Sequence, residues 1–189
     1  VQKINKQQAE EAIQTLLKYL GEDVNREGLK DTPRRVINSY KELFSGYSSD
    51  IENILSKKFS EPKEYDGIIL LRDIKFTSIC EHHMLPFTGK VDIAYIPDEV
   101  VVGVSKLARL VETFARRLQI QERMTTQIVQ ALDLHLKPKG IAILVTASHN
   151  CMAFRGVMKE GSCLETSHFS GSFKESQYIQ NQFWQMVKS

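Results

Sequence analysis

Apolar positions recur at helical spacing at both ends of the chain and at strand spacing between them. Near the start, Ala9, Ile13, Leu16, Leu17 and Leu20 lie three and four residues apart and Gly21 stops the run, which predicts a helix. A second helix is predicted from Thr32 as N-cap with Pro33 in its first position, carrying Val36, Ile37, Tyr40, Leu43 and Phe44 before Gly46. The stretch Lys57–Gly67 is polar and holds Pro62, so it reads as a loop. It divides an N-terminal helical arm, 1–60, from a main domain, 61–189.

After Gly67 the period changes. Ile68–Ile74 is apolar enough for a buried strand, and Val91, Ile93 and Tyr95 alternate with Asp92 and Ala94 as a half-buried strand should. Val100–Val104 reads as a short extended piece after Pro97-Asp98. Ser105 is then the expected N-cap of a helix bearing Leu107, Leu110, Val111, Phe114 and Leu118. Met124, Ile128, Ala131 and Leu132 mark a further helix that ends before Pro138 and Gly140. Strand character returns at Ile141–Val145 and at Cys163–Phe169, and Ile179, Phe183, Trp184 and Val187 mark a last amphipathic helix.

The order is helices, two strands, two helices, two strands, helix. That is an α+β pattern whose strands, adjacent in sequence, are expected to pair antiparallel. Four strands in an open sheet leave two unpaired edges, which oligomerisation can cover.

Composition adds limits. The 189 residues suit one domain with an appendage, and 42% hydrophobic with 25% charged residues excludes wholly disordered and fibrous classes. Twenty-five basic against 23 acidic residues leave +2, too balanced to argue for a nucleic-acid partner. An odd count of three cysteines does not look like a secreted disulfide framework. The first twenty residues hold no continuous apolar core of a signal peptide, and Ile141–Val145 is far short of a membrane span. A cytoplasmic protein with no membrane partner is the expectation.

Two clusters, Cys80-Glu81-His82-His83 and His149-Asn150-Cys151, gather three of the five histidines and two of the three cysteines. Thiolate and imidazole together suit Zn²⁺ far better than Mg²⁺ or Ca²⁺. Cys80 and His83 can converge from a turn. His149 and Cys151, two apart at the end of an apolar strand, are expected to project from one face. Two arrangements follow. Cys80, His83, His149 and Cys151 close a structural site, or three of them bind and the spare histidine moves protons. His82 stands beside a ligand and is expected to point elsewhere, so that it and the spare histidine supply two imidazoles near the ion. Lys106 and Arg109 lie one helical turn apart after Ser105, and Arg155 lies four residues past Cys151, all suited to phosphate. Arg116, Arg117 and Arg123 read as a solvated helix face, while Cys163, His135 and His168 are assigned structural roles.

Taken in order, Cys80-Glu81-His82-His83 with Pro86-Phe87, Gly103-Val104-Ser105-Lys106-Leu107-Ala108-Arg109, Leu118-Gln119-Ile120-Gln121-Glu122-Arg123, and His149-Asn150-Cys151-Met152 with Arg155-Gly156 resemble the GTP cyclohydrolase I family. The resemblance runs from about Thr32 to Phe173. It implies a zinc held by Cys80, His83 and Cys151, with His82 and His149 as acid/base groups and Ser105 and Gln121 acting near the sugar. It implies that Glu122 receives the guanine edge, and that Lys106, Arg109, Arg155 and Arg35 hold the triphosphate. It also implies a tunnelling fold, an antiparallel four-stranded sheet with two helices inserted between strands 2 and 3. Subunits of this family form a homodecamer of two stacked pentamers with pockets between subunits. The substrate is GTP and the products are formate and 7,8-dihydroneopterin triphosphate.

The sequence departs from the family pattern at Asn150, at Phe169 after Thr166-Ser167-His168, and in the tail beyond Phe173. None of these removes a ligand or an acid/base group. The alternative is a non-enzymatic, zinc-stabilised oligomer that binds GTP. Pterin synthases and nitrile reductases of the same fold share neither cluster.

Overall fold

The structure, a computed structural model, describes residues 4–60 and 65–188. Pro62, the marker of the expected loop, lies outside the described residues. The chain divides into two compact units, Val1–Ser45 and Gly46–Ser189. Residues 46–60, grouped with the arm from sequence, therefore belong with the sheet.

The first unit holds α1 (Lys6–Tyr19) and α2 (Thr32–Leu43). Asn5 caps α1 through a reciprocal pair, its Oδ1 accepting from the Gln8 N–H while Gln8 Oε1 accepts from the Asn5 N–H. Gly21, at φ 86°, supplies the left-handed residue beyond its end. The N-cap of α2 is Asp31 rather than Thr32, which already lies inside the helix.

A short 3₁₀ turn, Ser45–Ser48, begins on the last residue of the first unit, and the second unit goes on to α3 (Ile51–Leu55) and β1 (Lys58–Phe59). Then come β2 (Ile69–Cys80), β3 (Pro86–Ile96), β4 (Val101–Val102), α4 (Val104–Ala115), β5 (Leu118–Gln119) and α5 (Gln121–Leu136). The chain finishes with β6 (Gly140–His149), α6 (Asn150–Ala153), β7 (Leu164–Gly171), α7 (Ser172–Glu175) and α8 (Gln177–Lys188). The sheet order is β5-β2-β3-β6-β7, antiparallel throughout β2-β3-β6-β7, with β5 parallel to the last residues of β2. The segment read as a loop contributes β1, which pairs with β4. Gly103, not Ser105, caps α4. Its carbonyl accepts from the Lys106 N–H at 2.8 Å, so the helix starts one residue before the expected cap.

Both faces of the sheet are covered. On one, Val91, Ile93, Tyr95, Ile141, Ile143 and Val145 pack with Leu107, Leu110 and Val111 of α4 and Met124, Ile128 and Leu132 of α5. On the other, Ala94, Ile96, Ala142 and Leu144 pack with Phe173 of α7 and Phe183 of α8. The half-buried pattern expected for β3 is overridden for this reason: every residue from Val91 to Ile96 is buried. Near the start of β2 a bulge places Asp73 at φ 56°, and the freed Asp73 N–H donates to Oδ1 of buried Asp92 at 2.8 Å. Among the described residues no helix is long and apolar enough to cross a membrane.

Candidate metal centre

The two clusters meet at one end of the sheet. β2 ends at Cys80, and the chain reverses through Glu81, His82 and His83 into β3. The Cys80 N–H donates to the Leu85 carbonyl and the Met84 N–H to the Cys80 carbonyl, both at 2.9 Å. Met84 takes up the reversal at φ 53°. β6, antiparallel to β3, brings His149 opposite Phe87. The strand ends there, and Cys151 sits on the helical turn α6. The pair therefore converges through that turn rather than through strand alternation.

Sγ of Cys80, a ring nitrogen of His83 and Sγ of Cys151 lie within 4.8 Å of one another, and Cys80 Sγ is 3.9 Å from His83 Nδ1. A tetrahedral zinc with bonds of about 2.1–2.3 Å needs donors roughly 3.5–3.8 Å apart, so a small inward shift closes the group. The donor set, two sulfurs and an imidazole, suits a soft or borderline cation. Burial, together with the neighbouring Cys80 sulfur, pushes the Cys151 thiol above its ordinary pKa, with Arg155 acting in the opposite direction. A bound cation reverses that preference.

His149 is outside the group. Its ring stacks on fully buried Phe87, with centroids 4.6 Å apart and planes within 6°. Its Nε2 lies 3.0 Å from Oε1 of Gln121. Gln121 begins α5, is 1% exposed, and donates through Nε2 to the carbonyls of Val145 and Leu164 at 3.0 Å and to Thr166 Oγ1 at 3.2 Å. Carbonyls only accept, so the amide nitrogen must face them and the amide oxygen must face His149. His149 Nε2 is therefore the donor, and in the neutral ring Nδ1 carries the lone pair. Burial lowers the His149 pKa, and the charge of Glu122 opposes that shift. Gln121, expected beside the sugar, is engaged by His149, Val145, Leu164 and Thr166.

His82 does not point away. Its Nδ1 is 3.9 Å from Cys80 Sγ and its Nε2 is 4.0 Å from Glu81 Oε1, while 63% of the side chain stays exposed. Arg123, read from sequence as a solvated charge, forms a two-pronged ion pair with Glu81: Nη1 to Oε2 at 2.6 Å and Nη2 to Oε1 at 2.8 Å. That pair holds the Glu81 carboxyl below its usual range and raises the guanidinium further. No local pattern signals it, because the partners are distant in sequence. Their places beside Cys80 and Glu122 were the only hint.

Exposed Glu122 follows Gln121, and Arg155 lies close enough for its charge to act on Cys151. Ser105, Lys106 and Arg109 are not brought to this group within one chain. The Val102 N–H donates to the Tyr95 hydroxyl at 3.3 Å, which puts the start of α4 near the far end of β3. The opposite end of α4 is the near one, since the Phe114 carbonyl accepts from Gln119, the neighbour of Cys80. About 15 Å of helix separates Ser105 from that end. Arg35 lies on α2 in the first unit, 3.6 Å from Asp31. The cavity beside His149, lined also by Met152, Ser162, Cys163 and Leu164, holds about 190 Å³. A larger one of about 730 Å³, lined by Lys75, Thr77, Thr88, Lys90 and Ser148 among others, contains none of the metal group.

Similarity to known proteins follows the same residues. The family model described as GTP cyclohydrolase I matches residues 9–188. A GTP cyclohydrolase 1 of Rickettsia bellii (strain OSU 85-389) is 54% identical over 183 residues, spanning 97% of this chain and 95% of that protein. One of Rickettsia felis (strain ATCC VR-1525 / URRWXCal2) is 54% identical over 181 residues, spanning 96% and 95%. The crystal structure of an archaeosine synthase QueF-Like in the apo form overlaps 59% of this chain and 97% of its own, at 16% identity and a TM-score of 0.48.

Proposed function

Because the chain belongs to the GTP cyclohydrolase I family, we propose that it opens the imidazole ring of GTP, releases the carbon between the ring nitrogens as formate, and recloses the rest as 7,8-dihydroneopterin triphosphate. This is the entry reaction of folate and pterin synthesis. The observation that carries the mechanism is the three-donor group, Cys80, His83 and Cys151, with His149 fastened beside it by Gln121. A four-residue structural site would need a ring nitrogen of His149 as well, and the converging group among the described residues comprises Cys80, His83 and Cys151.

We assign the ion as zinc; when bound, it supplies a Lewis acid that brings the pKa of a water near 7. Cys80, His83 and Cys151 hold it. His149 exchanges the proton at Nδ1, since Nε2–H is committed to Gln121. A neutral imidazole, favoured by burial, is ready to accept a proton at neutral pH. His82, largely exposed beside Cys80, is the second acid/base group. Glu122 offers two carboxylate oxygens to the two neighbouring N–H donors of the guanine edge.

Ser105, Lys106 and Arg109 serve the ribose and triphosphate of a second copy's site. Their separation from the metal group along α4 supports that division, as does a local cavity of about 190 Å³, below the range of roughly 300–1,000 Å³ usual for ligand sites. Arg155 and Arg35 complete the phosphate contacts. Two open strand edges support side-by-side assembly: β2 is covered by β5 only at Ile79 and Cys80, and the outer edge of β7 has no strand partner among the described residues. The tunnelling fold and a homodecamer of two stacked pentamers are the form that assembly takes in this reading.

The test is to incubate the purified protein with GTP and follow formate together with the fluorescence of the oxidised pterin, with and without a chelator. Both products are expected, and both should stop when the metal is removed. GTP binding with no formate would instead favour a non-enzymatic zinc-stabilised oligomer.

A further inference from the structure

The first three residues of α5 hold three different parts of the site. Successive helical residues point about 100° apart, so neighbours in sequence serve different directions. Gln121 reaches β6 and fastens His149. Glu122 faces outward. Arg123 turns back to the Cys80–Leu85 reversal and grips Glu81 with both prongs of its guanidinium.

The hydrogen bonds of the reversal make Glu81 its tie to the rest of the fold. Cys80 to Leu85 and Met84 to Cys80 close the turn on itself. From Glu81 two ties run outward: its N–H donates to the Gln119 carbonyl of β5 at 3.0 Å, and its carboxylate receives Arg123, while Oε1 also stands 4.0 Å from Nε2 of His82 within the turn. His83, a metal donor, is two residues further along the same turn.

We propose that the Arg123–Glu81 pair is a positioning clamp that sets the metal-binding turn at a fixed distance from the guanine carboxylate Glu122. This rests on the metal site of the proposed function. An exposed ion pair adds little to global stability, and these side chains are 42% and 29% exposed. A two-pronged pair nevertheless fixes direction, which a lysine's single ammonium cannot do. The clamp therefore acts on the geometry of His83 and Cys80 rather than on whether the chain folds.

Zinc affinity, measured by competition with a chromophoric chelator on the assembled protein, reads this directly. Arg123→Gln and Glu81→Gln are each expected to weaken zinc about tenfold, the lower end for residues that orient metal ligands. The double variant should be no worse than the weaker single one, because both remove the same contact. Arg123→Lys should fall between. The unfolding midpoint of the metal-free chain should stay unchanged, and kcat should fall with KM for GTP preserved, since α5 keeps its own packing. Zinc affinity at the parent level in both single variants, or losses that add in the double, overturns the clamp. Should Arg123→Gln fail to fold, Glu81→Gln decides alone. Cys151→Ser separates the two claims: if it keeps zinc, the metal assignment fails; if it loses zinc while the clamp variants hold theirs, only the clamp fails.

Discussion

Gln121 and His149 are joined by a single hydrogen bond of 3.0 Å whose direction is fixed by three other acceptors, the carbonyls of Val145 and Leu164 and the Thr166 hydroxyl. The amide cannot turn over without facing carbonyl oxygen to carbonyl oxygen. Gln121→Ala removes the orientation and takes a side-chain donor from the carbonyls of buried Val145 and of Leu164. Stability should fall by about 1–3 kcal/mol, and turnover by about a hundredfold if the ring is misplaced by 1 Å, with zinc retained. Denaturant unfolding and kcat check this together, and parent turnover in Gln121→Ala contradicts it.

Gly89 faces the ladder between β3 and β6. A Cβ there would stand 2.0 Å from the Thr146 carbonyl oxygen and 2.7 Å from Ala147 Cα, both backbone atoms that cannot swing aside. Gly89→Ala should therefore cost about 1–3 kcal/mol by overpacking. Because Phe87 and His149 lie two residues along the same pair of strands, turnover should fall with it. Thermal unfolding measured with and without the substitution is the check.

At the other end of β2, the bulge depends on Asp92 receiving the Asp73 N–H. Asp92→Ala orphans that donor and should destabilise by about 1–3 kcal/mol, whereas Asp92→Asn keeps an acceptor oxygen and should lose less. Equal losses in the two variants would show that the contact is not the reason Asp92 is buried.

Lys106 and the metal group stand apart in one chain, and in the proposed pocket they come from two copies. Lys106→Ala should raise KM for GTP about tenfold, the lower end of a lost hydrogen bond to a charged group. Co-expressed Lys106→Ala and Cys151→Ser chains should form mixed oligomers with a fraction of pockets at the parent KM, which neither variant shows alone, since some pockets then pair an intact half from each. Mixed assemblies that show only the raised KM of Lys106→Ala would contradict a pocket built between copies.

Much of this was legible in the sequence, and the exceptions have physical causes. The long helices and strands follow their apolar spacing. The start of α4 does not follow its serine, because the Gly103 carbonyl already closes the first turn. β3 reads as half-buried, yet Phe173 and Phe183, far along the chain, cover its second face. Cys80 and His83 are legible as a pair, since a turn brings residues three apart together. His149 looks like the equal of Cys151 until the strand is seen to end between them. The contact of Arg123 with Glu81 spans 42 positions and leaves no periodic trace.

The central claim is the division between residues that hold the ion and the histidine that does not. Bound zinc per chain, measured after purification and buffer exchange, tests it most directly. About one zinc per chain is expected in the parent protein and in His149→Ala, and essentially none in Cys151→Ser. Loss of zinc from His149→Ala as complete as from Cys151→Ser would make His149 a ligand and contradict the account.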